Sequence, residues 1–234
     1  MPASLLLLLK GPMQSWGDSS RYRSRSTGEV PTKSGVVGLL AAAEGRRRTD
    51  PVEDLAVLRF AVRVDQPGTL LRDYQTAQQW QTGGKTNLVT RHYLSDAAFV
   101  AAVQAPDRGV LEGLEAALRS PRFPLYLGRR SCPAPPGLVL GIRDTDAVDA
   151  LRSEKNWYAT AAHKRERSQT VELPIFRDAT QGDTDVVRRR DVPVSFSQEQ
   201  REYGWRDVAR EEPLVLENEL GTSTDPFFEA VLSS

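Results

Sequence analysis

The side chains able to do chemistry are few. The 234 residues hold two histidines, His92 and His163, and one cysteine, Cys132. One cysteine excludes an internal disulfide and a multi-cysteine zinc site. H-E-x-x-H, G-x-S-x-G and paired metal-ligand spacing are all missing. His92 lies in Arg91-His92-Tyr93. That triplet has the makings of metal-free RNA cleavage, with an imidazole as base and a guanidinium steadying the phosphate. Tyr93 or Lys85 would assist. The same residues equally suit polar contacts in a hairpin. Cys132 precedes Pro133 in a proline-rich loop and reads as a structural thiol. Gly28-Glu29-Val30-Pro31-Thr32-Lys33-Ser34-Gly35 superficially resembles a phosphate loop. It lacks a glycine directly before Lys33, and Pro31 removes an amide needed to cradle phosphate, which excludes a nucleotide triphosphatase. What survives is a helix start. The amides of Thr32, Lys33, Ser34 and Gly35, with the Lys33 ammonium, suit one backbone phosphate; they suit an ordinary capped helix as well.

Cations interleaved with aromatics form a second set. Arginine outnumbers lysine 26 to 5, and guanidinium groups bind phosphate bidentately and stack on bases. A GC-rich genome would produce the same excess. Arg21-Tyr22-Arg23-Ser24-Arg25 precedes the helix start. Trp80 sits near the tip of an expected hairpin whose arms carry Tyr74, Tyr93, Arg72, Lys85 and Arg91. Arg129-Arg130 follow a short expected strand, and Arg188-Arg189-Arg190 occupy another. Phosphate neutralisation beside stacking platforms is what single-stranded RNA requires. The formal net charge is +0, but it is unevenly spread: residues 1–50 and 121–190 each carry +4, and residues 191–234 carry −7. The chain is a basic body with an acidic end. Hydrophobic residues at 39% fit a globular protein. The run Leu5–Leu9 is too short for a membrane span or a signal core, so a cytoplasmic location is expected.

These residues need elements to position them. Ala3–Leu9 reads as a fully buried strand. Thr32 starts a helix that Gly45 ends. Leu55–Asp65 reads as a strand with Phe60, Val62 and Val64 on one face, residues 70–97 as a protruding hairpin with a mobile tip, and Ala97–Val103 as a strand. Leu111–Leu118 reads as an amphipathic helix, Leu125–Leu127 and Leu138–Ile142 as short strands, and Thr145–Leu151 as a short helix. Residues 153–170 read as loop, then Val171–Phe176 and Val186–Phe196 as strands. With the hairpin removed the order is β-α-β-β-α-β, a ferredoxin-like α+β unit of the kind RNA-recognition modules use; many other functions use it too.

Several stretches are similar to one family. Leu9-Lys10-Gly11-Pro12-Met13-Gln14-Ser15-Trp16-Gly17 resembles the opening signature of the CasD family, subunits of the type I-E CRISPR Cascade complex and members of the RAMP superfamily. Thr27-Gly28 through Gly35 with Gly38-Leu39-Leu40, Leu71-Arg72-Asp73-Tyr74-Gln75-Thr76, Tyr126-Leu127-Gly128-Arg129-Arg130-Ser131-Cys132-Pro133, and Arg190-Asp191-Val192-Pro193 followed by Trp205 resemble that family's later blocks, in order. Residues beyond about 213 match no motif, and the hairpin centre, Gln78 to Asn87, follows no family pattern.

The resemblance implies a ferredoxin-like, RRM-like palm with a β-hairpin thumb over residues 1–155 (thumb 70–97) and a small β-rich C-terminal extension, 156–234, packed on it. It implies a non-catalytic subunit in antiviral defence that grips the 5′ handle of the crRNA and caps the backbone filament. Its partners would be the Cascade backbone subunit and the large subunit, with target DNA met only through the complex, no membrane and no cofactor. The RNA-contacting residues would be Gln14 and Trp16 in the palm; Arg21, Arg23 and Arg25 in the loop; Thr32, Lys33 and Ser34 at the helix start; Arg72, Tyr74, Trp80, Lys85 and Arg91 on the thumb; and Arg129, Arg130 and Arg188. Trp16 and Tyr126 suit core positions as well. The alternative activity is metal-independent endoribonuclease processing of precursor crRNA.

Overall fold

The computed structural model describes residues 2–17, 24–78, 83, 86–197 and 199–222, with backbone alone at Ser24, Arg25, Ala77 and Asn87. An unbroken apolar run suits a strand covered on both faces, and β1 (Ala3–Lys10) is that strand. It is followed by two short strands, β2 (Met13–Gln14) and β3 (Ser24–Arg25). Helix α1 (Lys33–Glu44) begins where expected, the Thr32 side chain accepting from the Gly35 amide, and ends on Gly45 in the left-handed region at φ 82°. Residues 55–65 do not form one strand: α2 (Glu53–Ala56) takes the first part and β4 (Arg59–Gln66) the rest. Glu53 and Asp54 at a helix N-terminus favour that first turn.

The hairpin is β5 (Thr69–Ala77) and β6 (Asn87–Ser95), paired in register from Thr69–Ser95 to Ala77–Asn87; the expected mobile tip lies largely outside the described residues. Then come β7 (Ala98–Ala105) and α3 (Arg108–Arg119), whose Leu111, Leu114 and Leu118 are buried at helical spacing. Leu125–Leu127 is not a strand; one isolated bridge, Tyr126 to Pro133, closes the loop there. The chain continues with β8 (Val139–Arg143), α4 (Ala147–Ser153), α5 (Ala161–Arg165) inside the stretch expected as loop, β9 (Thr170–Asp178), β10 (Val186–Ser195) and β11 (Glu202–Glu217). The last, at 16 residues, has no counterpart among the expected strands.

The fold is α+β. Its main sheet has the order β10-β11-β9-β4-β7-β1-β8, every pair antiparallel. Within it, α1 lies between β1 and β4 in the chain and α3 between β7 and β8. One face of this sheet packs α1 and α3 over Leu5, Leu7, Leu9, Phe60, Val62 and Phe99. The other carries α4 and Trp157 over Leu6, Ala61, Val100 and Ile175. Fully burying a leucine or phenylalanine contributes roughly 1.5–3 kcal/mol, so β1, with Leu5, Leu7 and Leu9 on one face and Leu6 on the other, is a main anchor. The β5–β6 ribbon belongs to a second sheet, in which β2 pairs with the root of β6 and β3 with its middle. Among the described residues no helix is long and apolar enough to cross a membrane.

Candidate RNA interface

The loop after β1 carries the first expected contacts, and it buries them. The Gln14 amide donates to the carbonyls of Leu9 (3.0 Å) and Ala97 (2.7 Å), and its oxygen accepts from the Trp16 indole N–H at 3.0 Å. Both side chains are fully buried, and every polar group of the pair is used internally. The Trp16 ring lies so close to α1 that a Cβ on Gly35 would stand 2.8 Å from it. Gln14 and Trp16 therefore wedge the loop between β1 and α1 and present nothing to a ligand, a correction to the expectation of palm contacts.

The helix start is corrected in the same way. A free N-terminus attracts an anion, but here the anion is internal: the Lys33 amide donates to the Asp191 carboxylate at 2.9 Å. The Lys33 ammonium pairs with Asp178 at 3.0 Å. Arg206 bridges the two carboxylates, reaching Asp191 at 2.6 and 2.8 Å and Asp178 at 2.7 Å, with its guanidinium over the Phe60 ring. Thr32, Lys33 and Ser34 are buried. Burial opposes the charge on Arg206, but the two carboxylates outweigh it and raise its pKa further. Asp178 and Arg206 had no role in the sequence-based reading, and Asp191 entered it only as part of the Arg190–Pro193 block; the ion cluster they form with Lys33 has no local signal, because it joins three separate stretches of the chain.

At the root of the hairpin the expected residues do converge. Arg129 lies 4.8 Å over the Tyr93 ring and donates to the carbonyls of His92 (3.1 Å) and Ser26 (3.3 Å). The Tyr93 ring is buried, with its hydroxyl 3.4 Å from Ser131. Burial pushes the Tyr93 pKa up, but Ser131 and the guanidinium groups of Arg129 and Arg91 outweigh it and hold it below the usual phenol value. Arg91 is half-buried, its Nε without a partner, as is Nδ1 of the adjacent His92. Cys132 is buried, and desolvation raises its thiol pKa, in keeping with a structural role. The loop holding these groups is locked by Gly128 at φ 86°, where any Cβ would meet the Ser15 carbonyl oxygen at 1.7 Å. Arg130, beside them, is exposed.

Further out, Arg72 stacks 4.6 Å over the ring of Tyr74, both exposed, on one face of the ribbon. Arg25 is placed by backbone only, in parallel register with Arg91. Arg21, Arg23, Trp80 and Lys85 lie outside the described residues. Arg188 sits apart from this group, on β10, with its guanidinium 5.1 Å over the exposed ring of Trp205.

A family model described as CRISPR-associated protein (Cas5) matches residues 4–209. The chain belongs to the Cas5 family. A curated relative, the CRISPR system Cascade subunit CasD of Escherichia coli (strain K12), is 39% identical over 160 residues, covering 60% of this chain and 71% of the relative. Among solved structures, a chain of a CRISPR RNA-guided surveillance complex superposes with a TM-score of 0.76 at 31% identity, covering 98% of both chains. A chain described as a Cas protein does so with a TM-score of 0.69 at 38% identity, covering 95% of this chain and all of its own length.

Proposed function

We propose that this Cas5-family chain is a non-catalytic subunit of a CRISPR surveillance complex of the Cascade type, that it grips the 5′ handle of the crRNA between palm and hairpin, and that it caps the backbone filament in the cytoplasm beside the large subunit. The strand order β4-β7-β1-β8 with its two helices supports reading residues 1–155 as a ferredoxin-like palm. The β5–β6 ribbon is then the thumb, and residues 156–234 are an extension of the palm sheet.

One observation carries the RNA reading. The ribbon stands away from the core with an Arg72–Tyr74 stack on its exposed face, while its root gathers Arg91, Arg129 and Arg130. Guanidinium groups neutralise phosphates, and an exposed aromatic ring gives an unstacked base somewhere to lie. Target DNA is met through the complex, and no resident cofactor is needed for a gripping role. The buried Tyr93 phenol is a poor nuclease group beside His92, because substrate has no access to it.

The test is titration of the full chain with a labelled single-stranded RNA of the repeat's 5′ end. Binding weakens with salt, log affinity falling by roughly 0.7 per phosphate neutralised per log unit of salt. Replacing Arg72 and Arg130 by alanine lowers that slope. Repeat RNA incubated with the protein in EDTA stays intact. Salt-independent binding overturns the gripping role, and a discrete cut lost in His92→Ala restores the endoribonuclease reading.

A further inference from the structure

We propose that the outer face of β10–β11 is a second stacking site for single-stranded RNA, centred on Trp205. It rests on the RNA-binding reading only for the identity of the polymer, and it places the RNA on a different sheet from the thumb. Side chains alternate along a strand, and the inner face here is fixed: Asp191 holds the Lys33 amide at the start of α1, and Arg206 pairs with Asp191 and lies over the β4 ring of Phe60. Trp205 therefore faces the other way, with 56% of its surface exposed.

Its surroundings decide the occupant. Arg188 lies 5.1 Å and Arg190 5.9 Å from the indole centroid, and Arg190 is further held by its Nε donating to the Tyr203 carbonyl at 3.0 Å. Asp207 is directly opposite Arg188 in the strand register, yet Arg188 lies on the ring and forms no ion pair with Asp207. Elsewhere Arg63, Arg46, Arg177 and Arg206 are each tied to carboxylates by two or more bonds. At Trp205 the guanidinium groups are left beside an exposed ring. Two guanidinium groups held on the ring keep a double positive charge there, which favours a polyanionic strand as the occupant. Two cations flanking an exposed indole suit a base stacked on the ring with its phosphates on either side.

The full chain carrying 5-fluorotryptophan, titrated with a single-stranded oligouridine RNA and followed by fluorine NMR, tests this. The Trp205 resonance, identified by its loss in Trp205→Phe, shifts on adding RNA. Trp205→Ala weakens RNA binding by at least about fivefold, and Arg188→Gln with Arg190→Gln lowers the salt slope by roughly 0.7 for each phosphate no longer neutralised. Trp205 is outside the core, and a circular dichroism spectrum matching the parent keeps the variant interpretable; Trp205→Phe supplies the milder substitution. The thumb variant lacking Arg72 and Arg130 still shows the Trp205 shift at higher RNA concentration. A Trp205 resonance unmoved at saturating RNA overturns the inference while leaving the thumb reading standing. So does one moved by another Cascade subunit without RNA. Loss of all RNA binding in the thumb variant, with the Trp205 resonance silent, overturns it too.

Discussion

At the first turn of α1, the Lys33 amide meets a carboxylate contributed 158 positions later in the chain. Asp191 is fully buried and also holds Arg206. Removing one partner of such a cluster leaves the other charge buried without compensation, which typically costs about 3–5 kcal/mol. Asp191→Ala should therefore lower the stability of the full chain by that order in urea denaturation, and Asp191→Asn, which keeps an acceptor for the amide, by less. A second residue-scale prediction concerns pH. Burial first, and then the nearby Arg167, depress the His163 pKa below its ordinary value despite Glu166, and the ring packs edge-on against Trp157 at 6.0 Å. Between the folded and unfolded pKa values the unfolded chain binds more protons, so stability rises with pH across that window and falls on acidification through it. His163→Gln should flatten the dependence of the melting temperature on pH just below neutrality. Of these features the sequence shows only the local ones. Thr32 and Gly45 announce their helix because capping acts over three or four residues, whereas the choice between an RNA phosphate and Asp191 at Lys33 depends on a strand far downstream.

Among the elements, the loop from Tyr126 to Pro133 does most to set the hairpin's posture. Its Gly128 presses against the Ser15 carbonyl, Ser15 donates through its backbone amide to the Leu127 carbonyl at 3.1 Å, and Arg129 reaches across to the hairpin root. Gly128→Ala places a methyl group where an oxygen already is, at a φ that disfavours any side chain. The expected result is loss of several kcal/mol, read as a large fall in melting temperature or as absence of soluble protein. The sequence motif there is legible as a motif, but its strand assignment is not: Leu125–Leu127 has the composition of a strand, yet makes a single bridge because the turn at Gly128 folds it back at once. Gln14 and Trp16 show the same limit. The family resemblance implies RNA contact for them, and only the packing of Gly35 on the indole ring shows that the space is already filled.

At the largest scale, the main sheet is the four strands β4, β7, β1 and β8 extended at the β4 edge by β9, β11 and β10. The strands β1, β7 and β8 were legible as short apolar runs between clear punctuation, and β4 by its alternation, although its expected start at Leu55 falls in α2. Strand β11 was not: Arg206-Asp207 and Glu211-Glu212-Pro213 make it look like part of an acidic tail, and those charges make sense only beside Asp191, Asp178 and Arg177. An uncovered strand edge invites association with other chains. A fragment ending at Lys155 removes β9 and bares β4, while stripping Lys33 of Asp178; it should elute as large aggregates in size-exclusion chromatography where the full chain does not. The same arrangement sets a timetable for the nascent protein. Phe60 finds its hydrogen-bond partner Asp178 only 118 positions later, which at ordinary translation speeds is a wait of roughly 6–24 s. During that interval the ribosome carries the strands β4, β7, β1 and β8 with one raw flank, so chaperone occupancy should peak before the ninth strand emerges and fall away after it.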